Sequence, residues 1–295
     1  MDLADALTKA LAKSVGSAVV ASSERRVAGG SINTASRFDS AQGPIFVKHG
    51  DADCLPMFQA EADGLAELTK ANATRIPKVL AVSNEEGIAL LALEWIDLAP
   101  ATARSEALLG ELLAIQHRVT QARFGWYRDN TIGSTPQSNR MSAQWVEFLR
   151  ERRLQPQLTL AARNGANAAV IDRGQALCER LEEFFTDHQP VASLLHGDLW
   201  GGNWGVDSDG RPVLFDPAVY YGDREADLAM TKLFGGFGAP FYAAYQSAWP
   251  LEPGAGIRVM LYNLYHVLNH FNLFGGGYLQ QARGMIQRLL AEVGH

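Results

Sequence analysis

Residues 194–217, LLHGDLWGGNWGVDSDGRPVLFDP, constrain the fold more than any other stretch. A short apolar run breaks into a polar loop at His196-Gly197-Asp198, and Asn203 follows five residues after Asp198. A turn over 207–212 leads into a second apolar run, Val213-Leu214-Phe215, which ends on Asp216. Two strand-like segments therefore bracket one loop. Folded back on each other, they deliver two carboxylates and one amide to a single small region.

That set suits transfer of a phosphoryl group from a magnesium-bound nucleotide. Asp198 can accept the proton of an acceptor hydroxyl, while Asn203 and Asp216 offer hard oxygen ligands to Mg²⁺. The Asp-to-Asn step matches the protein-kinase loop H-R-D-x-x-x-x-N, with Gly197 in place of the arginine. An aspartate after glycine is usually only a turn residue; Asn203 and Asp216 move Asp198 towards catalysis. His196 is expected to tie the loop backbone rather than carry protons. Asp227, on the following helix, is expected to hold the loop by hydrogen bonds. Trp200 either stacks on a sugar or fills a core position.

The N-terminal third supplies complementary parts. A helix over 3–15 precedes a hairpin over 18–47 whose turn contains Gly29, Gly30, Ser31 and Asn33, suited to presenting N–H groups to phosphate. No G-x-x-x-x-G-K-[ST] sequence and no strand-following G-x-G-x-x-G/A fingerprint occurs, which removes the Walker-type and dinucleotide readings. The strand Pro44–Lys48 ends on a lysine. In the helix predicted over Met57–Lys70, Glu61 lies on or beside the apolar stripe Phe58, Ala62, Leu65 and Leu68. An inward carboxylate needs a partner, and Lys48 is the nearest candidate, with Glu67 the alternative carboxylate. Strands over 76–82 and 87–95 follow, the second almost continuously apolar. Glu94-Trp95-Ile96 then forms a link whose backbone can pair with adenine, so Glu94 and Ile96 join Lys48 and Glu61 as nucleotide-site candidates.

The expected class is α+β, with a β-rich nucleotide-binding lobe over 1–96 and a mainly helical catalytic lobe over 97–295. Helices are predicted over 105–119, 144–154, 166–187, 223–234, 241–248, 257–274 and 278–293. In the first of these Leu108, Leu109, Leu112, Ile115 and Val119 share the expected buried face. Residues 124–137, rich in Gly, Asn, Thr and Pro, read as an irregular loop. In it Asp129 and Asn130 either bind substrate or stabilise the loop. His266 and His270 stand four apart but lack the glutamate of H-E-x-x-H, so zinc is rejected.

A net charge of −6 leaves no electrostatic case for nucleic acid or a membrane surface. Cys54 and Cys178 make no C-x-x-C motif, Asp2 and Asp5 interrupt what would be a basic leader, and no apolar run approaches a bilayer span. A cytoplasmic, reducing setting and a monomer are expected.

The chain resembles the fructosamine kinases, or ketosamine-3-kinases. The resemblance is carried by GGSIN at 29–33, AEADGL at 60–65, LEWI at 93–96 and FGWYRDNTIGSTPQSN at 124–139. It continues through HGDLWGGN at 196–203, FDPAVYYGDREADLAMTKLFGGF at 215–237 and LYNLYHVLNHFNLFGGGY at 261–278. It implies a protein-kinase-like two-lobed fold related to aminoglycoside and choline kinases. It also implies transfer of the ATP γ-phosphate, with Mg²⁺, to the 3-hydroxyl of a free or protein-bound ketoamine. A 3-phosphate there makes the adduct prone to eliminate the sugar and free the amine, which is deglycation. Ser31 stands where many relatives carry cysteine, which argues against a thiol switch. A kinase for another small hydroxylated amine, and a catalytically silent nucleotide-binding protein, are the competing readings. Silent kinase folds usually lose the lysine, the base or the metal aspartate, and this chain keeps all three.

Overall fold

The computed structural model describes residues 2–27 and 34–294. The expected phosphate turn with Gly29, Gly30, Ser31 and Asn33 lies outside these residues. The chain opens with α1 (Leu3–Ser14), capped by the Asp2 carboxylate, which accepts from the Asp5 N–H at 2.8 Å. Next come β1 (Arg25–Arg26), β2 (Thr34–Ser40), β3 (Gly43–Asp51), α2 (Leu55–Lys70), β4 (Val79–Glu85) and β5 (Ile88–Glu94). The five strands form one antiparallel sheet in the order β1-β2-β3-β5-β4. Leu7 and Leu11 of α1 pack on one face with Phe38, Val47, Leu90 and Ala92. Phe58 and Leu65 of α2 pack on the other with Ala89, Leu91 and Leu93. Strand β5 is thus covered on both sides, which is why its sequence is apolar without alternation.

Residues beyond the sheet form a larger, mainly helical body. It contains β6 (Leu98–Ala99), α3 (Ala103–His117), β7 (Asn130–Ile132), β8 (Thr135–Gln137), α4 (Trp145–Leu149), α5 (Gln155–Arg163) and α6 (Ala168–Glu179). It continues with β9 (Ser193–Leu195), β10 (Trp204–Asp207), β11 (Pro212–Leu214), β12 (Tyr220–Gly222), α7 (Glu225–Leu233), α8 (Ala239–Ala248), α9 (Ala255–Phe274) and α10 (Tyr278–Glu292). Strands β10 and β11 make the anticipated hairpin, with β6 on its outer edge, and β9 pairs with β12. Arg75 clamps the two parts together. Its backbone bridges to Val213, and its guanidinium donates to Asp207 at 2.7 Å and Glu94 at 2.9 Å.

Three local expectations need correction. On α3 the buried residues are Ser105, Leu109, Gly110, Leu113, Ala114, Gln116 and His117, while Ile115 is 49% exposed. The stripe turns because Gly110 lets α8 approach closely; a Cβ there would lie 2.3 Å from Phe241 O. Residues 130–137 are a hairpin, turning at Gly133 with φ 60°, rather than an irregular loop. The helix expected to end at 154 runs on through a π-helical turn over Arg150–Leu154 into α5, with Pro156 just after the wider turn.

Candidate active site

The segment after β9 is held in place before it does any chemistry. Asp227 on α7 accepts from the backbone N–H of His196 at 2.7 Å and of Gly197 at 2.8 Å. The His196 ring accepts from Asp198 N–H through Nδ1 at 3.3 Å and donates from Nε2 to Phe215 O at 3.0 Å. Those partners require the neutral ring, and burial lowers its pKa accordingly. Gly197 adopts φ 84°, and a Cβ there would lie 2.0 Å from Ala218 O, so no other residue fits. The loop and the Phe215–Ala218 segment are therefore fastened side by side.

This brings the expected residues together. Asn203 Nδ2 donates to Asp198 O at 2.9 Å, to Asp198 Oδ2 at 3.1 Å and to Asp216 O at 3.4 Å. Asp216 sits at φ 55°, a left-handed conformation uncommon for a residue with a side chain and typical of functional turns. Its Oδ1 accepts from Lys48 Nζ at 2.5 Å, and Lys48 also donates to Glu61 Oε1 at 2.8 Å. The anticipated Lys48–Glu61 pair is present, while Glu67 bonds Tyr221 and Lys70 instead.

The charges respond to burial and to one another. Burial opposes the Lys48 charge, but the Glu61 and Asp216 carboxylates outweigh it and raise its pKa, so it is an ammonium. Burial pushes Glu61 upward, with Lys48 pulling it back. Burial, then the nearby Asp216 charge, pushes Asp198 up to about 7. A base at this position would work only when ionised, so on that role kcat/KM is expected to rise with pH and level off above about 7. A pH–rate profile that stays flat through this value would remove Asp198 as the base.

Beside these groups lies a cavity of about 380 Å³ between the sheet and the helical body, whose lining includes Phe46, Leu93, Trp95, Ile96 and Val213 together with Glu94 and Asp216. A planar, largely apolar ring fits between these walls, with backbone of the 94–96 link beside it. The oxygen donors beside the cavity are an amide and a carboxylate. Asn203 Oδ1 accepts no hydrogen bond among the described residues, and Asp216 binds Lys48 through Oδ1 only. Two hard oxygens of this kind fit Mg²⁺.

Trp200 does not occupy a core position: it is 39% exposed beside the loop, its ring over Gly202 and edge-on to Phe234 at 6.4 Å. Asn130 is buried. Its Nδ2 donates to Val219 O at 2.8 Å, while Oδ1 accepts from Gln137 at 2.8 Å and Asn139 at 3.0 Å. Of its two open roles, these contacts belong to the loop-stabilising one. Asp129 closes the open end of the same hairpin by accepting from Asn139 N–H at 2.6 Å. His266 is buried with Nδ1 unpartnered, and burial pushes it down to about 3, while His270 Nδ1 bonds back to His266 O.

Sequence reasoning missed His117. Its Nε2 donates to Asp227 Oδ2 at 3.1 Å and its Nδ1 accepts from Tyr245 at 2.8 Å, which orients the carboxylate that holds the loop. Burial opposes the Asp227 charge, yet His117 and the loop N–H groups hold its pKa below the usual range. A second buried set, His188, Asp223 and Glu225, lies close enough to ligate a cation. Its atoms are already engaged: His188 and Tyr262 bond Asp223 at 2.7 and 2.5 Å, and Arg258 grips Glu225 at 2.7 and 2.9 Å. This set anchors the start of α7, and with it Asp227.

The chain is also similar to known proteins. Residues 3–292 match the family model described as fructosamine kinase. A probable ketoamine kinase of Synechocystis is 44% identical over 267 residues, covering 90% of each chain. A chloroplastic protein-ribulosamine 3-kinase of Oryza sativa is 39% identical, covering 90% of this chain and 78% of its own. The crystal structure of a fructosamine-3-kinase candidate from Haemophilus somnus superposes with TM-score 0.88 at 28% identity, covering 96% of each chain. An aminoglycoside phosphotransferase solved with ADP and hygromycin B gives TM-score 0.67 at 15% identity over the full length of both chains, a likeness of fold alone. The fold is protein-kinase-like.

Proposed function

The chain belongs to the fructosamine kinase family, and on that premise we propose that it transfers the γ-phosphate of ATP to the 3-hydroxyl of a ketosamine. The observation that carries this reading is the single hydrogen-bonded set Asp198–Asn203–Asp216–Lys48–Glu61 beside the cavity at residues 94–96. The Asp198 carboxylate takes the proton of the acceptor hydroxyl as that oxygen bonds to the γ-phosphorus. The bond from the γ-phosphorus to the β,γ-bridging oxygen breaks, and ADP leaves. Lys48, aimed by Glu61, meets the α- and β-phosphates. Asn203 and Asp216 would hold Mg²⁺, which when bound supplies positive charge against the phosphate oxygens. Catalysis here is mainly positioning and charge stabilisation.

The ribulosamine kinase name among the relatives supports a pentose ketoamine as acceptor, and the fructosamine kinase family a hexose one. A 3-phosphate on such an adduct favours loss of the sugar, which makes the physiological role deglycation. Among the described residues no helix is long and apolar enough to cross a membrane, and both cysteines are free, in keeping with a cytoplasmic role.

The test is ATP consumption with Mg²⁺ against ribulose-lysine, fructose-lysine, aminoglycosides and choline, with the product mapped by NMR. Phosphate at sugar C3 of a ketoamine is the expected result. Turnover of only an aminoglycoside or choline would keep the phosphotransferase and discard the acceptor.

A further inference from the structure

Helix α2 carries Glu61 to Lys48, yet its other side is gripped by the helical body. Gln59, Asp63 and Glu67 recur at i, i+4 and i+8 and so form one stripe. Glu61, two positions from either neighbour, faces away from that stripe. Arg128 pairs with Asp63 and donates to Gln59 Oε1 at 3.1 Å, and Tyr221 donates to Glu67 Oε1 at 2.8 Å. Further along, Gly64 packs on the residues just after Asp216. A Cβ there would lie 3.2 Å from Val219 Cγ2 and 3.4 Å from Pro217 Cγ. Leu68 completes the pattern, since it belongs to the core of the helical body.

The element that grips α2 also fastens the Asp216 segment. Asn139 Nδ2 donates to Arg128 O at 3.0 Å, which fixes the base of the arginine. From the same hairpin, Asn130 reaches Val219 O at 2.8 Å and Gln137 reaches Ala218 O at 3.4 Å. Residues 128–139 therefore join both halves of the phosphate site, the Lys48–Glu61 pair and the Asp216 turn.

We propose that Arg128 and Tyr221 are positioning residues for phosphate recognition, holding α2 in register with Asp216 so that Lys48 points at the α- and β-phosphates of the nucleotide. The proposal rests on the phosphotransferase reading but not on the identity of the acceptor.

The experiment compares binding of MgADP, which reaches Lys48, with binding of adenosine, which does not, by calorimetry on the full chain. Arg128→Ala and Tyr221→Phe should each weaken MgADP by roughly 2- to 30-fold, the range for positioning networks, and leave adenosine unchanged. The charge-swapped double variant Asp63→Arg/Arg128→Asp should recover most of the MgADP affinity lost in Arg128→Ala. Equal weakening of both ligands would mean general loosening and would overturn the proposal, as would unchanged MgADP binding in both single variants. Arg128 and Asp63 are partly exposed, with side-chain accessibilities of 28% and 38%, so these variants should fold. Failure of every ketoamine in the turnover panel would leave this readout intact, so the two readings fail separately.

Discussion

Asp198→Asn should lower kcat by roughly 10²–10⁴, the usual contribution of a positioned general base, while MgADP binding persists. The substitution keeps size and shape, and Asn203 Nδ2, now 3.1 Å from Asp198 Oδ2, still finds an oxygen to meet. What disappears is the only proton acceptor in the set that Lys48 does not neutralise. Asp216 is paired with Lys48 at 2.5 Å, and Glu61 with the same ammonium at 2.8 Å. Single-turnover phosphoryl transfer measures the loss directly. Turnover within a few-fold of the parent would mean that the acceptor hydroxyl ionises without Asp198, and the mechanism would have to be rewritten.

Lys48→Met is the second large effect, and it should appear in two measurements. Loss of the cation proposed to meet the phosphates should cost on the order of 10²–10³ in kcat, as removal of a single oxyanion-stabilising donor does. It also leaves Glu61, with a side chain only 10% exposed, without its counter-charge beside Asp216. Breaking a buried pair from one side costs about 3–5 kcal/mol, here nearer the lower end because Asp216 is 37% exposed and can turn to solvent. The sign with pH follows from Glu61. Burial already raises its folded pKa, and removal of Lys48 raises it further. A carboxyl with a raised folded pKa favours the fold at low pH, and that support is lost as pH rises through the folded value. The stability deficit of Lys48→Met against the parent should therefore grow from acid to neutral pH in urea titrations. A deficit independent of pH would show that Glu61 does not titrate with the fold.

How much of this could be read in the sequence depended on the range of the interaction. The loop from His196 to Asp216 was legible because its parts lie within a few residues of turns and strands that local rules recognise. Lys48 and Glu61 were legible because an inward carboxylate on an apolar stripe demands a cation, and the preceding strand offered one. His117 was not, since its partners Asp227 and Tyr245 lie 110 and 128 residues away and nothing near it on α3 signals a polar contact. The buried face of α3 was misread for a related reason: Gly110 matters only once α8 is known to press on it. The hairpin at 130–137 did carry a signal, the alternation of Asn130 and Ile132 with Thr135 and Gln137 about Gly133. Its polar inward residues disguised it, because they are buried to bond the backbone at 218–219 rather than to fill a core.

The glycine at position 197 has a consequence for control. In protein kinases the arginine at this point of the loop can receive a phosphorylated residue from the segment that follows the metal aspartate, and that is how such enzymes are switched. Here Ala218 O occupies the space a side chain would need. The following segment, 218–224, is buried throughout and runs straight into α7, leaving no exposed loop to modify. Among the described residues, this stretch offers neither transmitter nor receiver for a phosphorylation switch of that type. A phosphate placed on this stretch would have no side chain at position 197 to receive it.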